Sequence, residues 1–329
     1  MNEDSIEMIR ETRRNILVLN RRKNRDEETD SRRSLRNVSP KKTHPDTIMN
    51  IANKLKTKSM MSVPELQILK NALIDDETYI QTVLNTNGAL RGLVRELTGH
   101  EVRKQCAAAG CCCNLALGDA RAGLAVSKSA APYLVATLNN LTTELAVTSS
   151  WTLGNLAGSG TRACELLRSQ GAVAKLVELL DCGNEEMRDA VLYALVRFAH
   201  QLKNNLRTIH LNNMLAILPR LEVNDTSQLL FILSCHRDFT HNLVSVDLLS
   251  KILQYLAVNI QQLDCENVTY LFRFLANCYS REFYECAQKQ IFEQCNRAFK
   301  TKFGFASHIR TLAGDKGVAI TGYGVDGYM

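Results

Sequence analysis

Between about residue 46 and residue 312, leucine, alanine and valine return at every third and fourth position, and no run of strict apolar–polar alternation interrupts them. That period places the apolar side chains on one stripe of a helix, so the body of the chain is predicted to be helical throughout. Local punctuation divides the pattern into short rods. Val173 to Leu180 reads as one helix, Cys182-Gly183-Asn184 as a break, and Glu185 to Ala199 as the next, longer helix. Both ends differ from this body. Residues 1–45 are polar and close on Ser39-Pro40-Lys41-Lys42-Thr43-His44-Pro45, a linker composition. Gly314 to Met329 carries five of the 17 glycines, so residues 313–329 are expected to form a flexible tail.

The helical body repeats. Small-residue pairs begin at Gly88, Ala130 and Gly171, each followed by a short apolar helix pattern. About 25 residues behind each stands a second marker: Cys113-Asn114-Leu115-Ala116, Gly154-Asn155-Leu156-Ala157 and Val196-Arg197-Phe198-Ala199. Positions 114, 155 and 197 are separated by 41 and 42 residues, and weaker echoes at Cys235 and Asn277 continue at 38 and 42. A helical unit of about 42 residues cannot bury its apolar face alone, so neighbours must stack into one continuous core, as in HEAT or armadillo solenoids. The expected fold is all-α: a right-handed armadillo-type solenoid of about five to six units. Residues 46–86 are expected to form a degenerate opening cap and 279–312 a closing one. Small residues at 88, 130 and 171 are expected at sharp corners between helices.

Charge sharpens the division between arm and body. The chain has 40 Lys and Arg against 34 Asp and Glu, net +6; residues 1–45 hold 12 basic and 8 acidic side chains and so carry +4 of it. The arm is basic and the solenoid nearly neutral. No apolar leader occurs before Arg22, and no run approaches about 18 apolar residues, so neither secretion nor a membrane span is expected. Eleven cysteines without any Cys-x-x-Cys read as reduced, buried thiols rather than a metal site. Cys111, Cys112 and Cys113 are consecutive, and successive helical side chains diverge by about 100°. The same divergence separates Cys235 from His236. With no phosphate-cradling glycine loop and no nucleophile elbow, the sequence predicts neither an enzyme nor a cofactor.

Trp151-Thr152-Leu153-Gly154-Asn155-Leu156-Ala157-Gly158 resembles the third armadillo helix of the importin-α family. In that family a Trp and an Asn four residues apart project from one helical face into the groove that takes cargo. Residues four apart do lie side by side on a helix. An Asn amide can pair with an extended peptide backbone, and an indole can cover a lysine stem. The other reading of Trp151 is core filler. The arm resembles the importin-β-binding segment of the same family, over Arg13-Arg14-Asn15-Ile16-Leu17-Val18-Leu19-Asn20-Arg21-Arg22-Lys23-Asn24-Arg25 and Ser31-Arg32-Arg33-Ser34-Leu35-Arg36. The resemblance implies that Arg13, Arg14, Arg21, Arg22, Lys23, Arg25, Arg32, Arg33 and Arg36 bind an importin-β-type receptor through residues 10–40. It also implies a cargo groove at Asn114, Asp119, Trp151 and Asn155, and a cytoplasmic and nuclear distribution.

Several positions depart from the family's pattern. The pairs four apart run Gly110/Asn114, Trp151/Asn155, Tyr193/Arg197, Phe231/Cys235 and Arg273/Asn277, so one Trp/Asn pair is intact. Arg197 places a cation where basic cargo would lie. Ser159 replaces the acid expected after Ala157-Gly158, with Asp119 of the preceding unit as a partial substitute. Ser34-Leu35-Arg36 replaces the family's autoinhibitory basic cluster. The expected function is a nuclear-import adaptor with altered cargo specificity. The alternative is a general armadillo interaction scaffold whose basic arm is disordered and unrelated to transport. Nucleic acid is not the expected partner, because no Phe, Tyr or Trp precedes Tyr79 to stack a base.

Overall fold

The computed structural model describes residues 43–57, 59–259 and 265–278. The basic arm before residue 43, the expected closing cap and the glycine-rich tail lie outside the described residues. Within them there are fourteen α-helices and no strand. Two helices open the array, α1 (Pro45–Lys56) and α2 (Val63–Asp75). Then follow α3 (Glu77–Asn85), α4 (Ala89–Leu97) and α5 (Val102–Leu115), then α6 (Ala120–Thr137) and α7 (Thr143–Gly158). A second three-helix unit comprises α8 (Thr161–Ser169), α9 (Ala172–Leu179) and α10 (Glu185–Leu202). The last two pairs are α11 (Thr208–Ile217) with α12 (Val223–Ser234), and α13 (Val246–Asn259) with α14 (Cys265–Cys278).

Local chemistry explains these boundaries. Ser62 caps α2 with a reciprocal pair: its backbone N–H donates to Glu65 Oε2 at 2.9 Å, and its hydroxyl accepts from Glu65 N–H. Asp76, Asp119 and Asn184 each accept a first-turn N–H at 2.8 Å, opening α3, α6 and α10. The corners between α3 and α4 and between α8 and α9 are made by Gly88 and Gly171, in the left-handed region at φ 94° and 83°. Only glycine enters that region without a Cβ clash. At Ala130-Ala131 the expected corner is absent: the chain runs on as one helix from Ala120 to Thr137. Alanine does not enter the left-handed conformation cheaply, so the helix continues past it. It continues through Pro132 as well. Pro132 and Lys128, whose carbonyl loses its helical donor, are both exposed, so water can take the place of the missing N–H. The helix expected from Glu185 extends one turn further, to Leu202, because Leu202 is buried and extends the apolar stripe.

Packing follows the 42-residue period. The last helix of each unit, here called the third helix, packs on the next in the unbroken order α2, α5, α7, α10, α12, α14. A second row forms behind it where α1 meets α4, α4 meets α6, and α9 meets α11. The core between the rows is continuous from Ile48 to Cys278 and includes fully buried Leu153, Leu156, Leu176 and Phe198. Each such side chain contributes roughly 1.5–3 kcal/mol of burial. A close crossing between third helices lies at Gly154, where a Cβ would stand 2.7 Å from the Tyr193 ring and 3.0 Å from Ala194 Cα. The short 38-residue interval has a cause. Ahead of α11 the first helix shrinks to a single 3-10 turn, Lys203–Asn205, where the preceding unit has the nine-residue α8.

Candidate functional site

The third helices present one row of equivalent positions, and three of the four sequence-predicted groove residues, Asn114, Trp151 and Asn155, fall on it. Asn114 and Asn155 sit near the C-terminal ends of α5 and α7, each 5% exposed. Their amides point along the row at the preceding third helix. Asn114 Nδ2 donates to the Lys70 carbonyl at 2.6 Å. Asn155 Nδ2 donates to the Cys113 carbonyl at 3.2 Å, and its Oδ1 accepts the Tyr193 hydroxyl at 2.7 Å. Asn277 repeats the arrangement, donating to Ser234 Oγ at 2.8 Å. Leu117 N–H bonds the Asn114 carbonyl, so Asn155 supplies a donor to Cys113 near the frayed end of α5. The asparagines therefore stitch unit to unit, and both ends of the Asn155 amide are engaged inside the protein.

Trp151 is half-buried and packs on Tyr193 of the next unit, ring centroids 4.5 Å apart and tilted by 45°. Arg197 lies with its guanidinium 5.1 Å from the centre of the Tyr193 ring, and its stem crosses Gly158 of α7. Two units on, Phe231 stacks with Tyr270 at 5.8 Å, and Arg273 covers Phe231 at 5.5 Å. The row thus reads as aromatic rings faced by arginines rather than as a ladder of Trp/Asn pairs. Asp119 is elsewhere in role: it is exposed and caps α6 through Ala122 N–H. The nine arm residues, from Arg13 to Arg36, lie outside the described residues.

Acids occupy the other end of the same helices. Glu144 lies in the first turn of α7, Glu185 and Glu186 in that of α10, and Asp225 in that of α12. Asp189, exposed in the first half of α10, has its carboxyl held above the usual range by partial desolvation first, and then by the Asp225 and Glu185 charges. Asp189 and Arg197 are eight residues apart on α10, about 12 Å along the axis. One strip of the face is acidic and the other aromatic and cationic.

Two residues on the row escape the sequence pattern. Lys70 and Asn71 stand 44 and 43 residues before Asn114, in the second half of α2. The half-buried Lys70 stem fills the space above Gly110, where a Cβ would come within 2.5 Å of Lys70 Cδ. The signal was the bare spacing from Asn71 to Asn114, without any flanking motif. Among the described residues no cluster of His, Cys, Asp or Glu could hold a metal ion, and no helix is long and apolar enough to cross a membrane. Cys111 and Cys112 are fully buried; burial raises both thiols, that of Cys112 to about 12.

No family model matches the chain, and no curated protein sequence matches it. Solved structures do. An engineered protein is similar over 81% of this chain and 66% of its own, at TM-score 0.64 and 19% identity. A designed armadillo-repeat protein in complex with a (KR)4 peptide matches over 72% of this chain and all of its own, at 0.58 and 17%. A computationally designed armadillo-repeat protein for modular peptide recognition matches over 70% and 100%, at 0.56 and 17%. At these identities the likeness concerns the fold. Taken with the stacked third helices and their 42-residue period, it makes the chain an all-α solenoid of armadillo type.

Proposed function

We propose that the protein is a binding scaffold that lays an extended peptide segment of a partner across the row of third helices. The observation that carries this reading is the strip formed by Trp151, Tyr193, Phe231 and Tyr270, four rings from four successive units that the described residues leave only half-buried. Rings that are buried on one side and open on the other offer large apolar area at low entropic cost to an incoming chain. The designed relatives that bind peptides support the reading by analogy of fold. A random dodecapeptide display library panned on the full chain tests it. Peptides should be enriched, and Trp151→Ala with Tyr193→Ala should remove that enrichment while helicity is retained; equal enrichment by the variant would overturn the assignment.

The basic arm favours a more specific second reading, a nuclear-import adaptor in cytoplasm and nucleus. Here the arm recruits an importin-β-type receptor and the third-helix row takes the cargo. Its support is the resemblance of Arg13–Arg25 and Ser31–Arg36 to the importin-β-binding segment. Pull-down of importin-β by the full chain and by a variant lacking residues 1–45 separates the two readings. Equal retention by both removes the adaptor role and leaves the scaffold.

A further inference from the structure

We infer that the segment bound by this row is acidic, with carboxylates aimed at Lys70, Arg197 and Arg273. This rests on the peptide-binding reading above and adds to it the charge of the occupant. Three observations converge. Each cation stands at the row: Lys70 over Gly110, Arg197 between Gly158 and the Tyr193 ring, and Arg273 over the Phe231 ring. None of the three forms an ion pair with a described carboxylate, although Arg168, Arg220 and Lys104 elsewhere do. The arginines are also held in place. A guanidinium laid on a ring keeps its planar fork directed outward, ready for a carboxylate.

The nearby acids do not neutralise this strip. Asp189 and Glu186 lie eight and eleven residues before Arg197, roughly 12 and 16 Å down the axis of α10. An extended chain crossing the row at right angles points alternate side chains to opposite sides. One set then faces the cations and the other faces the acidic strip. Packed helices are about 8–10 Å apart. Carboxylates on alternate residues, repeating every 6.6–6.8 Å, therefore bring one within reach of each flexible cation. A purely basic segment instead meets Lys70, Arg197 and Arg273 with like charge, which opposes binding.

Three fluorescein-labelled peptides test this by anisotropy on the full chain: (AE)4, (AQ)4 and (KR)4. The expected order is (AE)4 tightest, then (AQ)4, then (KR)4. Arg197→Glu combined with Arg273→Glu should weaken (AE)4 by about tenfold and strengthen (KR)4. Both positions are half-buried or exposed, and unchanged far-UV circular dichroism will establish that the variant folds. Tightest binding of (KR)4, or an (AE)4 affinity untouched by the double reversal, would overturn the inference. If all three peptides stay silent while the display library yields binders, the acidic assignment alone falls. If the library also yields nothing, the peptide-binding reading falls with it.

Discussion

Replacing Asn155 with Ala removes the bonds at both ends of its amide at one stroke, a weak one to Cys113 Sγ at 3.4 Å included, and this makes it the sharpest test of how the solenoid holds together. The amide donates to the Cys113 carbonyl at 3.2 Å and accepts the Tyr193 hydroxyl at 2.7 Å, in a place where Asn155 is 5% exposed. A protein hydrogen bond contributes about 0.5–1.5 kcal/mol net, and leaving a buried partner unsatisfied raises the loss. The expected destabilisation is therefore about 2–3 kcal/mol. Tyr193→Phe removes only the 2.7 Å bond and should cost about 1 kcal/mol. Because the two changes delete a shared contact, the double variant should fall short of their sum by about 1 kcal/mol. Urea titration followed by fluorescence suits the measurement, since Trp151 is the only Trp in the chain and packs on Tyr193. Circular dichroism in parallel reports the rest of the array, whose units need not unfold together. A loss below about 0.5 kcal/mol for Asn155→Ala, or strict additivity in the cycle, would refute the clamp and return Asn155 to service as a free recognition residue.

Other outcomes follow from the same geometry. Gly154→Val should cost about 1–3 kcal/mol, because its Cβ would stand 2.7 Å from the Tyr193 ring; a neutral urea midpoint would contradict the close crossing. Gly171→Ala should cost about 1–2 kcal/mol from backbone conformation alone, since nothing lies within 4 Å of its Cβ, and Gly171→Asn should cost less. A thiol reagent at pH 8 should leave Cys111, Cys112, Cys164 and Cys278 unlabelled in the native protein, as mass spectrometry will show, because burial keeps these thiols protonated. Glu65 is held at about 2, first by the Lys54 side chain and then by the Ser62 backbone N–H, against an ordinary 4.5. Its stabilising contribution is complete above about pH 4.5 and is lost as pH falls towards 2, so Glu65→Gln should flatten the acid limb of a stability–pH curve.

The repeat was legible because its markers are tied to backbone geometry and close packing. Gly171 must enter the left-handed region, and Gly154 must leave room for Tyr193; such demands leave glycines at fixed phase in the sequence. The Ala130 corner misled because a small side chain resembles a glycine in a pattern but not in φ. Pro132 adds to the impression of a break, yet its exposed position lets the helix pass. For the candidate site, spacing located Trp151 and Asn155 on one face. It could not show that the acceptor of the Asn155 amide is a carbonyl 42 residues away, since that depends on how α7 abuts α5. Lys70 was hidden for a related reason: its role comes from the empty space over Gly110, and an absent side chain leaves no motif.

The uninterrupted α6 has a mechanical side. Eighteen residues of helix make a rod of about 27 Å, where the flanking units place a glycine joint between two shorter rods. Bending of the solenoid is then unevenly shared. Gly88 and Gly171 can absorb a change in angle through a few backbone torsions, whereas deforming α6 means breaking helical hydrogen bonds. A partner that requires the array to open or tighten will flex it at those two joints, on either side of α6, and will leave α6 itself little changed. Hydrogen exchange should accordingly show α6 as a slow island whose protection hardly changes when the face is occupied, with any gain or loss concentrated around residues 86–90 and 169–173.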